Sequence, residues 1–172
     1  MHKVQLISRT KHWLPAICVA IIISSFSSHY FSAAQTGRVI LPLLHWLFPS
    51  ASRHALRVMH FAIRKAAHVT EFAAFSIAVF HGVRADRSGW RFSWAAITLL
   101  VSVAFGALDE WHQSFVPLRE PTVRDVVIDT IGAFLAQVLV WVYAKMHGNV
   151  GQAEPIATSP APASPSIEKI GD

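Results

Sequence analysis

Arg64, Lys65, His68 and Glu71 stand close together in the stretch RKAAHVTEF, at the mouth of an apolar run, AAFSIAVF. Each type brings a chemistry. Histidine titrates near neutrality, and a carboxylate one helical turn away can orient and charge it, so His68 and Glu71 have the makings of a general acid–base pair. Arginine makes bidentate bonds to phosphate and carboxylate, which suits Arg64, with Lys65 beside it, to capturing an anion. An ionisable side chain at the middle of a membrane helix costs roughly 2.5–3.5 kcal/mol, so four of them next to an apolar run require partners.

Candidate partners lie downstream. DEWHQSFVPLR (109–119) supplies Asp109, Glu110, His112, Gln113 and Arg119, and RDVVIDTIGAF (124–134) supplies Asp125 and Asp129. At about 100° per residue, Arg64, His68 and Glu71 fall within an arc of about 60°, with Lys65 to one side. Asp109, His112 and Gln113 share a face, with Glu110 offset. Asp125, Asp129 and Gly132 form a stripe in which Gly132 leaves room for a neighbouring backbone. The catalytic candidates are therefore His68, Glu71, Asp109 and Glu110. The anion-binding candidates are Arg64, Lys65 and Arg119, and His112, Gln113, Asp125 and Asp129 complete the network. Glu71 and Arg119 are expected in one hydrogen-bonded network with Asp109 and Asp125, with His68 at its rim. The structural alternative is an ion-pair network that only fixes helix register. Against it stands a surplus of carboxylates over what pairing needs, and adjacent carboxylates raise one another's pKa. The ligand types would suit a metal, but no metal spacing such as HExxH occurs, and no GxSxG, P-loop or CxxC is present; no metal or other cofactor is expected.

The elements that must position these residues are apolar. Of 172 residues, 53% are hydrophobic and 15% charged, and the mean hydropathy is +0.41. The apolar residues come in blocks, which reads as an integral membrane protein. A net charge of +5 would suggest nucleic acid in a soluble chain. Here Lys and Arg flank apolar runs, where they orient helices and meet lipid headgroups, so no nucleic acid is expected. The single cysteine, Cys18, lies inside the first run and excludes an intrachain disulfide.

The expected architecture is all-α: a membrane-embedded four-helix bundle in residues 1–147, with spans at about 13–31, 61–83, 92–108 and 126–143. A cleavable leader ending near SAA (32–34) is the rival reading of the first run. Residues 35–60 read as a connection holding an interfacial or re-entrant segment at 40–48, between Pro42 and Pro49, with His45, His54 and His60 as loop residues. Six tryptophans lie mostly near span ends, as interface anchors do. The tail, 148–172, is rich in Pro, Ala and Ser and reads as disordered. Four spans put both termini on one side. Arg84, Arg87 and Arg91 in the second-to-third loop, with Lys3, Arg9 and Lys11, favour the cytoplasm for that side; Arg38, Arg53, Arg57, Arg64 and Lys65 oppose it. The start of the second span, the end of the third and the start of the fourth then meet at one membrane face, carrying nearly all the ionisable residues.

RKAAHVTEF, DEWHQSFVPLR and RDVVIDTIGAF together resemble the signature of the VanZ-like family of small bacterial membrane proteins, over roughly residues 60–140. The family pattern resembles RK-x-x-H-x-x-E-[YF], D-E-x-x-Q-x-F-x-P-G-R and D-x-x-x-[ND]-x-x-G. By position it marks Arg64, Lys65, His68, Glu71 and Phe72; Asp109, Glu110, Gln113, Phe115, Pro117 and Arg119; and Asp125, Asp129 and Gly132. Leu118 stands where the pattern has glycine, which puts in doubt a turn that needs positive φ. The namesake is linked to teicoplanin resistance. The resemblance implies a protein of the cytoplasmic membrane that binds lipid or a lipid-linked cell-envelope anion and affects glycopeptide susceptibility. Two alternatives stay open: an enzyme that hydrolyses or transfers a lipid-linked anionic group, with His68 or Glu71 as base, and a proton-coupled carrier using the buried acids.

Overall fold

The computed structural model describes residues 10–119 and 121–148; all of the expected disordered tail beyond Gly148 lies outside them. Among the described residues five α-helices run in order: α1 (Leu14–Phe26), α2 (Ala33–Leu47), α3 (Arg53–Arg84), α4 (Phe92–Gln113) and α5 (Val123–Met146). A 3-10 turn, His29–Phe31, joins α1 to α2. The described residues contain no strand.

Helices α3, α4 and α5 are long and apolar enough to cross a membrane, and α1 with α2 forms a pair bent by 69° at a short break. Their outward faces carry large apolar side chains: along α5, Ile131, Phe134, Leu135 and Leu139 are all 48–67% exposed. A water-facing helix would put polar residues there; this chain is an integral membrane protein.

Contacts along the helices give the topology. Trp13 lies against Gly82, Ile23 joins Phe72 and Phe75 in the core, and Ser27 meets Asp109. Thus α1 runs antiparallel to α3. Helix α5 runs parallel to α3, since Asp129 meets His68 and Gln137 meets Ser76. The start of α1 and the end of α5 share one end of the bundle; Lys65, His68, Asp109, Glu110, Arg119, Asp125 and Asp129 gather at the other. The core between them holds Ile23, Phe72, Phe75, Ala78 and Val79, with Phe105 beside them. Helices α3 and α5 approach closely at Gly132, where an added Cβ would lie 2.4 Å from the Val69 carbonyl oxygen. The room expected at Gly132 is there.

The expected spans differ from the helices in informative ways. The first span was expected to run through residue 31, but α1 stops at Phe26 because the run SSFSSH begins to break it. Serine hydroxyls compete for backbone groups, and Ser32 caps α2 by accepting from the Gln35 amide. The interfacial segment expected at 40–48 is the second half of a helix that starts at Ala33 and continues through Pro42. Helix α3 begins at Arg53, eight residues before the expected span, capped by Ser52. At about 48 Å it is longer than the roughly 30 Å hydrocarbon core, so its first turns project beyond the bundle and meet α2. There His60, expected to be a loop residue, is buried on α3 with its Nε2 3.2 Å from the Thr36 hydroxyl. Helix α4 continues past residue 108 through the charged segment to Gln113.

Candidate functional site

The polar end of the bundle is built from four elements, one more than expected. The end of α4, the start of α5 and the middle of α3 converge as anticipated, and the end of α1 joins them. Asp109 and Gln113 lie one turn apart on α4 and face α1. Asp109 Oδ2 accepts from the Ser27 hydroxyl at 2.6 Å and from Gln113 Nε2 at 2.8 Å. Glu110 is buried too, and its Oε2 accepts the Thr122 amide at 3.0 Å. A carboxylate at that place complements the positive N-terminal end of α5.

Across the bundle, Lys65 of α3 donates to Asp125 Oδ1. One turn further, His68 Nδ1 lies 3.2 Å from Asp129 Oδ1, and Asp129 is buried. Because α3 and α5 run parallel, the spacing from Lys65 to His68 keeps step with that from Asp125 to Asp129, so both pairs form along one seam.

Arg119 departs from expectation. Its guanidinium makes no hydrogen bond to a carboxylate among the described residues. Nε and Nη2 donate instead to the Ser28 carbonyl at 3.3 and 3.0 Å, and Nη2 also to the Phe26 carbonyl. The last carbonyls of α1 have no partner within the helix, and a cation held against them satisfies both their hydrogen bonding and the helix dipole. Arg119 therefore staples the break between α1 and α2. The single network expected to contain Arg119, Glu71, Asp109 and Asp125 is instead five local sets held near one another, with Glu71 in none of them. Burial pushes the Arg119 guanidinium below its ordinary pKa, Arg64 pushes it the same way, and Asp109, Glu110 and Glu71 oppose both. It remains a cation.

His112 is also misplaced by simple phase. It is exposed, whereas Glu110, assigned to the side, is buried. Partners on both flanks of α4 centre its buried arc between Asp109, Glu110 and Gln113, about 100° from His112.

Leu118 adopts φ 64°, so the turn that favours glycine is retained with a leucine in it. That turn aims Arg119 back at the end of α1.

Two cavities open at this end. One, of about 620 Å³, is lined by Arg64, Lys65, Arg119 and Arg124, with His68 and, as its one lining carboxylate among the described residues, Asp125. The other, of about 220 Å³, is lined by Arg64, His68, Glu71 and Arg119 at its polar part and by Phe31, Ile40 and Ile63 elsewhere. Arg64, His68 and Arg119 belong to both. Glu71 makes no side-chain hydrogen bond among the described residues, and it faces the smaller cavity. The expected arc of Arg64, His68 and Glu71 does come together on one wall.

Sequence reasoning missed Arg124, Ser27 and Thr122. A cation preceding Asp125 at a helix start was a signal for the first, and serines interrupting an apolar run were a signal for the second. Residues 12–144 match the VanZ/LLP1 family. The chain matches no curated protein and no solved structure.

Proposed function

The chain belongs to the VanZ/LLP1 family, and from that premise we propose that its polar end binds an anionic headgroup, carried on a membrane lipid or a lipid-linked envelope intermediate. The larger cavity carries this reading: among the described residues, four cationic side chains line it with one carboxylate, Asp125. Lys65 and Asp125 pair with one another, and Arg64, Arg119 and Arg124 line the same space. Arg64 and Arg119 repel each other there, and an anion between them relieves that repulsion. Arginine suits phosphate and carboxylate equally, so the anion's class is broader than phosphate alone. With both chain ends in the cytoplasm, as Arg84, Arg87 and Arg91 favour, the cavity faces outward from the cytoplasmic membrane. An outward site that binds envelope intermediates would alter susceptibility to glycopeptides of the teicoplanin type.

The test is the lipid retained by the purified protein. Drawn from bilayers holding equal anionic and zwitterionic lipid, it should carry anionic lipid selectively, and Arg124→Glu should abolish the selectivity. Equal retention of both lipids would overturn the reading.

A second reading is favoured by one observation. His68 has Asp129 behind its Nδ1 and lies at the junction of the two cavities beside Glu71, whose carboxylate has no hydrogen bond among the described residues. A base oriented by a third group is the arrangement used to activate a nucleophile, and the arginines would stabilise charge on a transferred anionic group. Turnover of lipid-linked phosphate substrates that disappears in Glu71→Gln would establish it.

A further inference from the structure

The two cavities differ in lining but share a wall. The larger sets its cationic side chains beside apolar Phe61, Leu118 and Ile128; the smaller runs from Arg64, His68 and Arg119 to Phe31, Ile40 and Ile63. Phe31 and Ile63 are each more than 40% exposed, so the apolar part opens sideways on the lipid-facing surface of the bundle. The opening exists because α1 stops at Phe26 and the chain bends 69° before α2 proceeds. Arg119, bound to the Phe26 and Ser28 carbonyls, holds that bend in place.

We infer that the smaller cavity is an acyl- or prenyl-chain slot, so that the ligand is an anionic amphiphile whose head occupies the cationic cavity and whose first chain carbons lie between α2 and α3. The inference rests on the headgroup reading and adds to it the class of molecule and the path of its tail. Continuity argues for a tail rather than a separate apolar molecule: a chain attached to an anion at Arg64 and Arg119 meets the apolar side chains of the smaller cavity on the same wall. Among the described residues Glu71 is the one carboxylate lining the slot, and it stands beside Arg64, Arg119 and His68. The lateral opening lets the tail enter from the bilayer while the head moves in at the interface, with neither crossing the other's medium.

The test uses soluble alkyl phosphates from methyl to hexyl, bound to the full chain in nanodiscs. Burying a methylene contributes about 0.8 kcal/mol, so affinity should rise about fourfold per added carbon until the slot is filled. Ile63→Trp and, separately, Ala67→Phe fill the slot from its exposed side and should flatten this gradient while leaving methyl phosphate binding within about twofold. A flat series in the unaltered protein overturns the tail slot but leaves the headgroup site standing. A gradient that persists in both filled variants assigns the effect to partition into the bilayer and overturns the slot likewise. Failure of methyl phosphate to bind any of the proteins overturns the headgroup reading and the slot with it.

Discussion

At the scale of single residues, Leu118 and Arg119 show how local chemistry serves the site. A leucine at φ 64° carries a steric cost of roughly 1–2 kcal/mol that glycine would not. Leu118→Gly should therefore raise stability by about 1 kcal/mol after glycine's added chain entropy, a Tm rise of a few degrees. A fall in Tm would show that the exposed leucine side chain contributes more than its backbone costs. Arg119 reaches two carbonyls through a planar fork, which one ammonium cannot reproduce. Arg119→Lys should lose most of what Arg119→Ala loses, both in thermal stability and in anionic-lipid retention; full rescue by lysine would mean that only the charge matters. The sequence made most of the polar residues legible, because ionisable groups beside apolar runs are rare and conspicuous. It did not reveal what Arg119 bonds to, since its acceptors are backbone carbonyls and those carry no sequence signal.

At the scale of elements, the seam between α3 and α5 holds Lys65 and His68 against Asp125 and Asp129. It depends on the close approach at Gly132. A Cβ there would meet backbone atoms of Val69, which cannot move aside without shifting a helix, whereas at Gly82 it would meet the Trp13 ring. Gly132→Ala should cost about 3 kcal/mol and Gly82→Ala clearly less, measured by thermal or denaturant unfolding in detergent. The reverse order would refute the seam's geometry. Helix phase located Gly132, His68 and Glu71 from sequence because each helix keeps a narrow polar stripe. The same phase misassigned His112 and Glu110, because the arc that faces inward depends on how many neighbours a helix has. The expected spans were cut where charges began; α4 runs on because its charges find partners, which hydropathy alone does not register.

At the scale of the whole molecule, the parity of the chain brings the start of α1 and the end of α5 to the end opposite the candidate site. A reporter active only in the cytoplasm should signal when attached after Lys145 and stay silent when inserted in the connection at residues 48–52, between α2 and α3. The opposite pattern would turn the cationic cavity towards the cytoplasm. The all-α membrane architecture was legible from apolar blocks and their lengths. The bent α1–α2 pair was not, because a break made by serines looks locally like a continued span, and with it went the smaller cavity. The central claim is that the cationic cavity binds an anion, and the most direct test is equilibrium binding of glycerol phosphate to the protein in nanodiscs, compared with Arg124→Glu. Arg124 is exposed and makes no hydrogen bond or ion pair among the described residues, so its replacement leaves the fold intact. Saturable binding that weakens with salt, and that falls at least tenfold in Arg124→Glu at unchanged Tm, is the predicted result. Absence of saturable binding, or equal affinity in the two proteins, would contradict it.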